Sequence, residues 1–418
     1  MTQMLQLGRT GLLTIAWLMV MPCVVLLFSA IVPIVPWVRI YACSVVPNHT
    51  SWLFLWSIAA LIIGLLVNYR RHSAFTRGLV AMATIAVLAT ASVMLHLLYI
   101  AESNGARIDV IRALSLRAVS DGAAPDESRV YARPPGEPLW LDIYHPRRAS
   151  PGALSPVMVA VHGGGFFEGS RSTGAANMRW YADHGWTVIS IDYRLARPDR
   201  PTWNLATTDV RCALAWTAAH AAALGIDINR LALTGGSAGG TLAMAAAYAP
   251  DTASPDPTCG PMVPHVAALV VKAPLIDVAD SWRHPGELRD LQRQYLARYF
   301  GGSPEQYPAR YAAAEVRRFL RPGMPPTLIL GGADDPLVPP EGATAFARAS
   351  TAAGNQVRQI LFPYSGHDFN TTFDSITNQA LLQIIAQFMS EQERRPIMPH
   401  QARAIPFVAT AYTIAPHG

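Results

Sequence analysis

The sequence predicts an α/β protein: a mostly parallel sheet flanked by helices, carrying a small helical cap and preceded by about three transmembrane helices. Three observations predict it. Residues 1–100 contain five Arg, no Lys, and no Asp or Glu. Beyond residue 128, short apolar runs rich in β-formers alternate with helical patterns. Two glycine-rich turns, His162-Gly163-Gly164-Gly165 and Gly235-Gly236-Ser237-Ala238-Gly239, each follow one of those runs directly. Alternation of this kind builds a parallel sheet covered on both faces.

The membrane segments come first. Residues 11–38, 51–69 and 78–100 carry no charge apart from Arg77 just before the third. A bilayer core of about 30 Å needs roughly 20 apolar residues as helix. Trp37, Tyr41, Trp52, Tyr69 and Tyr99 stand near the segment ends, where amphipathic rings favour the interface. Pro22, Pro33 and Pro36 are expected to kink or end the first helix. With Arg9, Arg70, Arg71 and Arg77 on one side and only Arg39 on the other, the short-loop bias puts the C-terminal part outside the cytoplasm. His96 has no carboxylate in any span to share a proton with, so it reads as a neutral ring near the interface.

Charge excludes some partners. The 418-residue chain is 51% apolar and only 15% charged, against about 25% charged in an ordinary soluble domain. That composition excludes a disordered chain or a coiled coil. Five of the 33 basic groups sit in the first hundred residues, and the other 28 match the 28 acidic groups, all of which lie beyond. The net charge of +5 is therefore no nucleic-acid footprint. Four cysteines are too few for a disulfide-stapled scaffold, although Cys212 and Cys259 could pair in an oxidising compartment. The single lysine, Lys272, beside 32 arginines reads as codon bias.

After a connecting segment over residues 101–128, an α/β domain is expected over 129–392. Strands 130–132 and 139–144 flank a Pro-Pro-Gly-Glu-Pro turn. Further strands are read at 157–161, 187–191, 230–234, 266–272, 327–330 and 357–362. Helices are read at 175–184, 209–224, 241–248, 341–353 and 377–390. A helix-rich excursion over 277–324 is a candidate cap, and 393–418 a polar tail.

The chemistry lies in the loops. Gly235-Gly236-Ser237-Ala238-Gly239 is a G-x-S-x-G between a strand and a helix, the context of a nucleophile elbow. His162-Gly163-Gly164-Gly165 offers backbone N–H groups to an oxyanion, with His162 shaping the turn. A serine needs a base and an orienting carboxylate. Downstream, Asp334-Asp335 and then His367 follow strands, in the order such a fold requires. His367 is the expected base, and the acid is Asp334 or Asp335. Phe166, Phe167, Trp203 and Trp282 are candidate acyl-pocket rings, although such aromatics are more often core.

Residues 130–392 thus resemble the α/β-hydrolase superfamily, more narrowly its hormone-sensitive-lipase-like and bacterial esterase branch, including the feruloyl-esterase-like group. The likeness rests on Leu141-Asp142-Ile143-Tyr144, His162 to Phe166, Asp192-Tyr193-Arg194-Leu195-Ala196, Gly235 to Gly240, Asp335-Pro336-Leu337-Val338-Pro339 and Gly366-His367. The chain departs from that branch at Arg197-Pro198-Asp199 and at Pro339-Pro340-Glu341. The resemblance implies an α/β-hydrolase fold and a serine carboxylesterase with Ser237, Asp335 and His367 as its triad. The acid is then the one before Pro-Leu, with Asp334 as the alternative. It implies the N–H groups of Gly163, Gly164 and Ala238 as the oxyanion hole, an Arg194–Asp209 ion pair, and no metal or cofactor. The expected substrate is a small-molecule or lipid-like ester. Rival readings are an amidase, peptidase or deacetylase on the same fold, and a silent hydrolase-fold binding protein. The resemblance does not reach residues 1–100.

Overall fold

The structure, a computed structural model, describes residues 2–393 except 33–34, 71–72, 121, 148–151 and 250–252. Arg71, used in the charge count, and the polar tail from residue 394 on lie outside the described residues.

Three long helices open the chain: α1 (Thr2–Ile31), α2 (Pro36–Arg70) and α3 (Ala74–Ser103). All three are long and apolar enough to cross a membrane. The first was expected to continue to residue 38. It stops at Ile31 instead, and Trp37 and Val38 belong to the next helix. Ser73 caps α3 by accepting from the Thr76 amide, in a capping box. The three helices pack together along one side, while Leu18, Leu66, Leu88 and Leu95 are 64–68% exposed on the other. A stripe of that size is favourable only against an apolar medium.

The chain then builds β1 (Glu127–Ala132), β2 (Leu139–Tyr144), β3 (Ser155–Val161), α4 (Ala175–Asp183), β4 (Thr187–Ile191), α5 (Ala206–Ala219), α6 (Ala221–Leu224), β5 (Ile226–Gly236), α7 (Ala238–Tyr248) and β6 (Ala268–Lys272). The cap follows as α8 (Val278–Arg283), α9 (Arg289–Phe300) and α10 (Pro308–Ala314). The fold closes with β7 (Thr327–Gly332), α11 (Glu341–Ala352), β8 (Val357–Phe362) and α12 (Ile376–Glu393). The strands form one sheet in the order β1-β2-β4-β3-β5-β6-β7-β8. Only the β1–β2 and β2–β4 pairs are antiparallel. Every residue of β4, and the last five of β3, are buried, as helices on both faces require.

The helix read over 209–224 is two, α5 and α6, broken at His220. Cys212 on α5 is joined to Cys259 by a disulfide with Cα atoms 5.3 Å apart. Arg194 holds Asp209 in a forked ion pair of 2.6–3.0 Å.

The connecting segment is bound to the last helix. Gln379, Gln383 and Gln387, four residues apart on α12, present their amides to the backbone between residues 105 and 109. Arg107 N–H donates to Gln383 Oε1 at 2.9 Å, and Gln383 Nε2 returns a bond to Arg107 O at 2.8 Å. Gln379 repeats the exchange with Asp109. The helical period of four residues thus matches the rise of two extended residues, and α12 serves as an edge for the incoming chain.

Candidate active site

Four loops at the carboxyl ends of β3, β5, β7 and β8 meet at one edge of the sheet, where ligands of open α/β folds bind. Ser237 turns the chain from β5 into α7 with φ 52° and ψ −125°, a conformation costing about 1–3 kcal/mol. The flanking glycines are a steric necessity. A Cβ on Gly235 would stand 2.3 Å from Gly239 O, and one on Gly239 would stand 2.3 Å from the carbonyl oxygens of Val161 and His162. The Ser237 amide donates to Lys272 O at 2.7 Å, which ties the turn to β6.

His367 follows β8. Its Nε2 lies 2.9 Å from Ser237 Oγ, and its Nδ1 lies 2.7 Å from Asp335 Oδ2. The other Asp335 oxygen accepts the amides of Leu337 at 2.9 Å and Val338 at 2.8 Å. The carboxylate is thereby fixed in rotation, with one oxygen left for the imidazole. Asp334 faces away and accepts from Arg39 Nη2 at 3.0 Å. Burial disfavours the His367 imidazolium, but the Asp335 charge and hydrogen bond, with help from Asp368, outweigh it and raise the ring above its ordinary value. Lys272 pulls the other way. Its own ammonium is pushed down to about 8 by burial, against the attraction of Asp368.

The Gly163–Gly165 turn lies against the elbow. A Cβ on Gly163 would sit 3.0 Å from Gly236 O and 3.4 Å from Ser237 Cβ. Gly164 has φ +112°, and a Cβ there would meet Glu168 O at 2.1 Å. His162 is buried and committed to this turn. Its Nδ1 donates to Gly163 O at 2.7 Å, and its ring stacks on Tyr193 with centroids 4.3 Å apart. Burial lowers its pKa and so favours the neutral ring. Ala238 is the first residue of α7, where amides have no acceptor within the helix.

A cavity of about 660 Å³ opens over Ser237 and His367, lined also by Gly163, Gly164, Gly165 and Lys272. Of the rings proposed from sequence, Phe166 stacks on Tyr299 at 3.9 Å and Trp282 packs on Tyr311 at 6.4 Å. Trp203 and Trp282 lie at the margin of the core, outside this cavity, and Phe167 packs on Tyr295 at 5.1 Å. Phe166, though buried, also lines a small adjoining pocket with Ser237, Ala238 and Tyr295. The apolar wall comes instead from Leu288, Leu291 and Tyr295 of the cap, and from Ile40 and Tyr41 of α2. Sequence reasoning missed all five. It also missed Lys272, whose signal was its being the sole lysine of the chain. Among the described residues, no cluster of three or more His, Cys, Asp or Glu could hold a metal.

Comparison with known proteins identifies the family. The BD-FAE family model matches residues 141–349. Esterase LipC of Mycobacterium tuberculosis is 31% identical over 61% of this chain and 62% of its own length. The ethyl acetate hydrolase of Pseudomonas putida is 30% identical over 56% of this chain and 72% of its own. The chain spans about three fifths of the length of the first two M. tuberculosis relatives. Among solved structures, butyrate-bound Est2, an esterase of Thermogutta terrifontis, superposes with TM-score 0.54 at 28% identity, over 65% of this chain and 95% of its own. The same enzyme phosphonylated by sarin superposes with TM-score 0.53 at 26% identity, over 65% of this chain and 95% of its own. The parallel sheet, the elbow at Ser237 and these matches together establish that the chain belongs to the BD-FAE family of α/β-hydrolase esterases.

Proposed function

We propose that the protein is a membrane-anchored serine carboxylesterase that cleaves esters through Ser237, His367 and Asp335. The observation that carries this reading is the unbroken pair of hydrogen bonds from Ser237 Oγ through His367 to Asp335, at 2.9 and 2.7 Å. Ser237 Oγ attacks the ester carbonyl while His367 Nε2 takes its proton. Asp335, on Nδ1, holds the tautomer with Nε2 free and stabilises the imidazolium. The carbonyl oxygen becomes an oxyanion that accepts from the N–H groups of Gly163, Gly164 and Ala238. On collapse, His367 returns the proton to the leaving alcohol. Water then repeats the sequence on the acyl-enzyme and releases the acid and free Ser237. Asp334, engaged by Arg39, takes no part in this scheme.

Residues 1–100 serve as the anchor, 129–392 as the hydrolase with its cap at 277–324, and 101–128 as the link. Two features support a site on the non-cytoplasmic side. The arginines at 9, 70, 71 and 77 fall on the opposite side of the spans. The Cys212–Cys259 disulfide suits an oxidising compartment.

Butyrate in the Thermogutta relative and ethyl acetate in the name of the Pseudomonas relative make short nitrophenyl esters suitable first probes. The full chain in membranes is expected to hydrolyse nitrophenyl butyrate, and Ser237→Ala to lower kcat by about 10⁴-fold or more. Wild-type turnover in that variant sinks the mechanism.

A further inference from the structure

We propose that the segment between the first two spans, residues 36–49, is part of the active site. It clamps the His367 loop, walls the substrate cavity, and draws the ester from the bilayer as a long-chain lipid. This inference rests on the esterase reading above and names its substrate class.

The first argument is length. Helix α2 is interrupted at His49, whose φ of −132° and ψ of 21° are not helical. The part from Thr50 to Arg70 is about 31 Å long at 1.5 Å per residue, which alone spans a bilayer core. Residues 36–48 are therefore surplus to the crossing and free to lie on the hydrolase.

The second argument is what they touch there. Asn48 is buried, and its side chain bonds three backbone groups around the base. Its Nδ2 donates to Asp368 O at 2.7 Å, and its Oδ1 accepts from Thr371 N at 2.9 Å and Thr372 N at 3.0 Å. On the other side of His367, Gly366 N donates to Cys43 O at 2.8 Å. That carbonyl is free for a reason written in the sequence. Its helical partner would be the amide of residue 47, which is Pro47 and has none. Proline breaks one helical bond and the catalytic loop supplies the replacement. Arg39 adds a third brace by bonding both Asp334, next to Asp335, and Glu287 of the cap.

The third argument is the face that remains. Ile40, Tyr41 and Ser44 line the same cavity as Ser237 and His367. Trp37 and Tyr41, one helical turn apart, are 71% and 67% exposed. Ser44 is six residues from Thr50, about 9 Å along the helix axis, so the cavity wall begins within one headgroup layer of the span. Aromatic rings exposed at that level belong at a lipid interface. An acyl chain leaving the bilayer along Tyr41 and Ile40 would meet Leu288, Leu291 and Tyr295 before its ester reaches Ser237.

The test uses the full chain in phosphatidylcholine vesicles, with nitrophenyl palmitate carried in the bilayer and nitrophenyl acetate in the water. The wild type is expected to hydrolyse both. Replacing Ile40 and Tyr41 together by Ser should lower the palmitate-to-acetate ratio of kcat/KM about tenfold. Asn48→Leu should lower kcat on acetate about 10- to 100-fold, since small misplacements of a catalytic group cost that much. KM should change little, and the acid limb of the pH profile should move down as His367 slips from Asp335. Asn48→Asp, which keeps the acceptor, should recover part of the loss. Pro47→Ala offers Cys43 O its helical partner again without weakening the helix, and should lower kcat several-fold.

An unchanged ester ratio, or acetate turnover with no palmitate turnover, overturns the lipid substrate and leaves the esterase standing. Wild-type kcat and pH profile in both Asn48→Leu and Pro47→Ala overturn the clamp. If the wild type hydrolyses neither ester and a fluorophosphonate does not label Ser237, the esterase reading itself has failed and this inference falls with it.

Discussion

Ser237 and His367, the proposed nucleophile and base, are held in different ways. The elbow at Ser237 is braced within the sheet by β3 and β6 and by glycines where an added Cβ would stand 2.3 Å from a carbonyl oxygen. The loop at His367 leans on Cys43 and Asn48, more than 300 residues earlier in the chain. One half of the site is thus a local property of the hydrolase sheet. The other is completed by a helix that also enters the apolar spans. On the proposed reading, the nucleophile is held rigidly by the sheet, while the position of the base depends on how the helix α2 is seated.

The sharpest way to break this comparison is at the acid loop, where two neighbouring carboxylates have opposite surroundings. Asp335→Asn should lower kcat by about 10⁴-fold, because the amide imposes the wrong imidazole tautomer. Asp334→Asn should stay within about tenfold, because the Asp334 carboxylate is paired with Arg39 rather than with His367 or Ser237. Equal losses in the two, measured on nitrophenyl butyrate, would overturn the assignment, and a larger loss in Asp334→Asn would reverse it.

Next comes the elbow. Gly239→Ala drives a methyl into two carbonyl oxygens. It should cost about 1–3 kcal/mol of stability and about 100-fold in kcat. Thermal unfolding and kinetics read the two effects separately. A neutral result would show the elbow to be softer than its packing implies.

The Cys212–Cys259 bridge closes a separation of 47 residues and includes none of the residues 36–49. Cys212→Ser should destabilise by about 2–4 kcal/mol and leave kcat unchanged. A kcat loss equal to the stability loss would join two regions that are separate in the structure.

The smallest effect is on pH. His367 must be neutral to accept the serine proton, and its folded pKa lies above the ordinary value of about 6.5. So kcat/KM should rise with pH along a limb whose midpoint is above about 6.5. Lys272 lowers the His367 value, so Lys272→Met should move that midpoint upward. A downward shift would mean that Lys272 acts on His367 other than through its charge.

The particular residues explain what could be read in advance. Ser237 and His162 to Gly165 were legible because steric necessity writes them as short patterns of glycine beside strands. His367 was legible by chain order, as the histidine after the acid loop. The acid was ambiguous from residues alone, since Asp334 and Asp335 share a loop and differ only in where each side chain turns. The aromatic rings stayed open between core and pocket, because Phe166 and Trp282 carry the same apolar signal whether they face a core or a cavity. Lys272 looked like codon usage because composition says nothing of position.

By itself the sequence determined the alternation of strands and helices, the three apolar segments and the glycine turns, since each is set by residues close in the chain. The tertiary structure alone decided which aspartate meets His367, which side chains wall the cavity, and that Asn48 and Cys43 hold the loop that carries His367. Those are contacts between segments hundreds of residues apart, and no local periodicity or motif encodes the direction in which a side chain turns once the elements have packed.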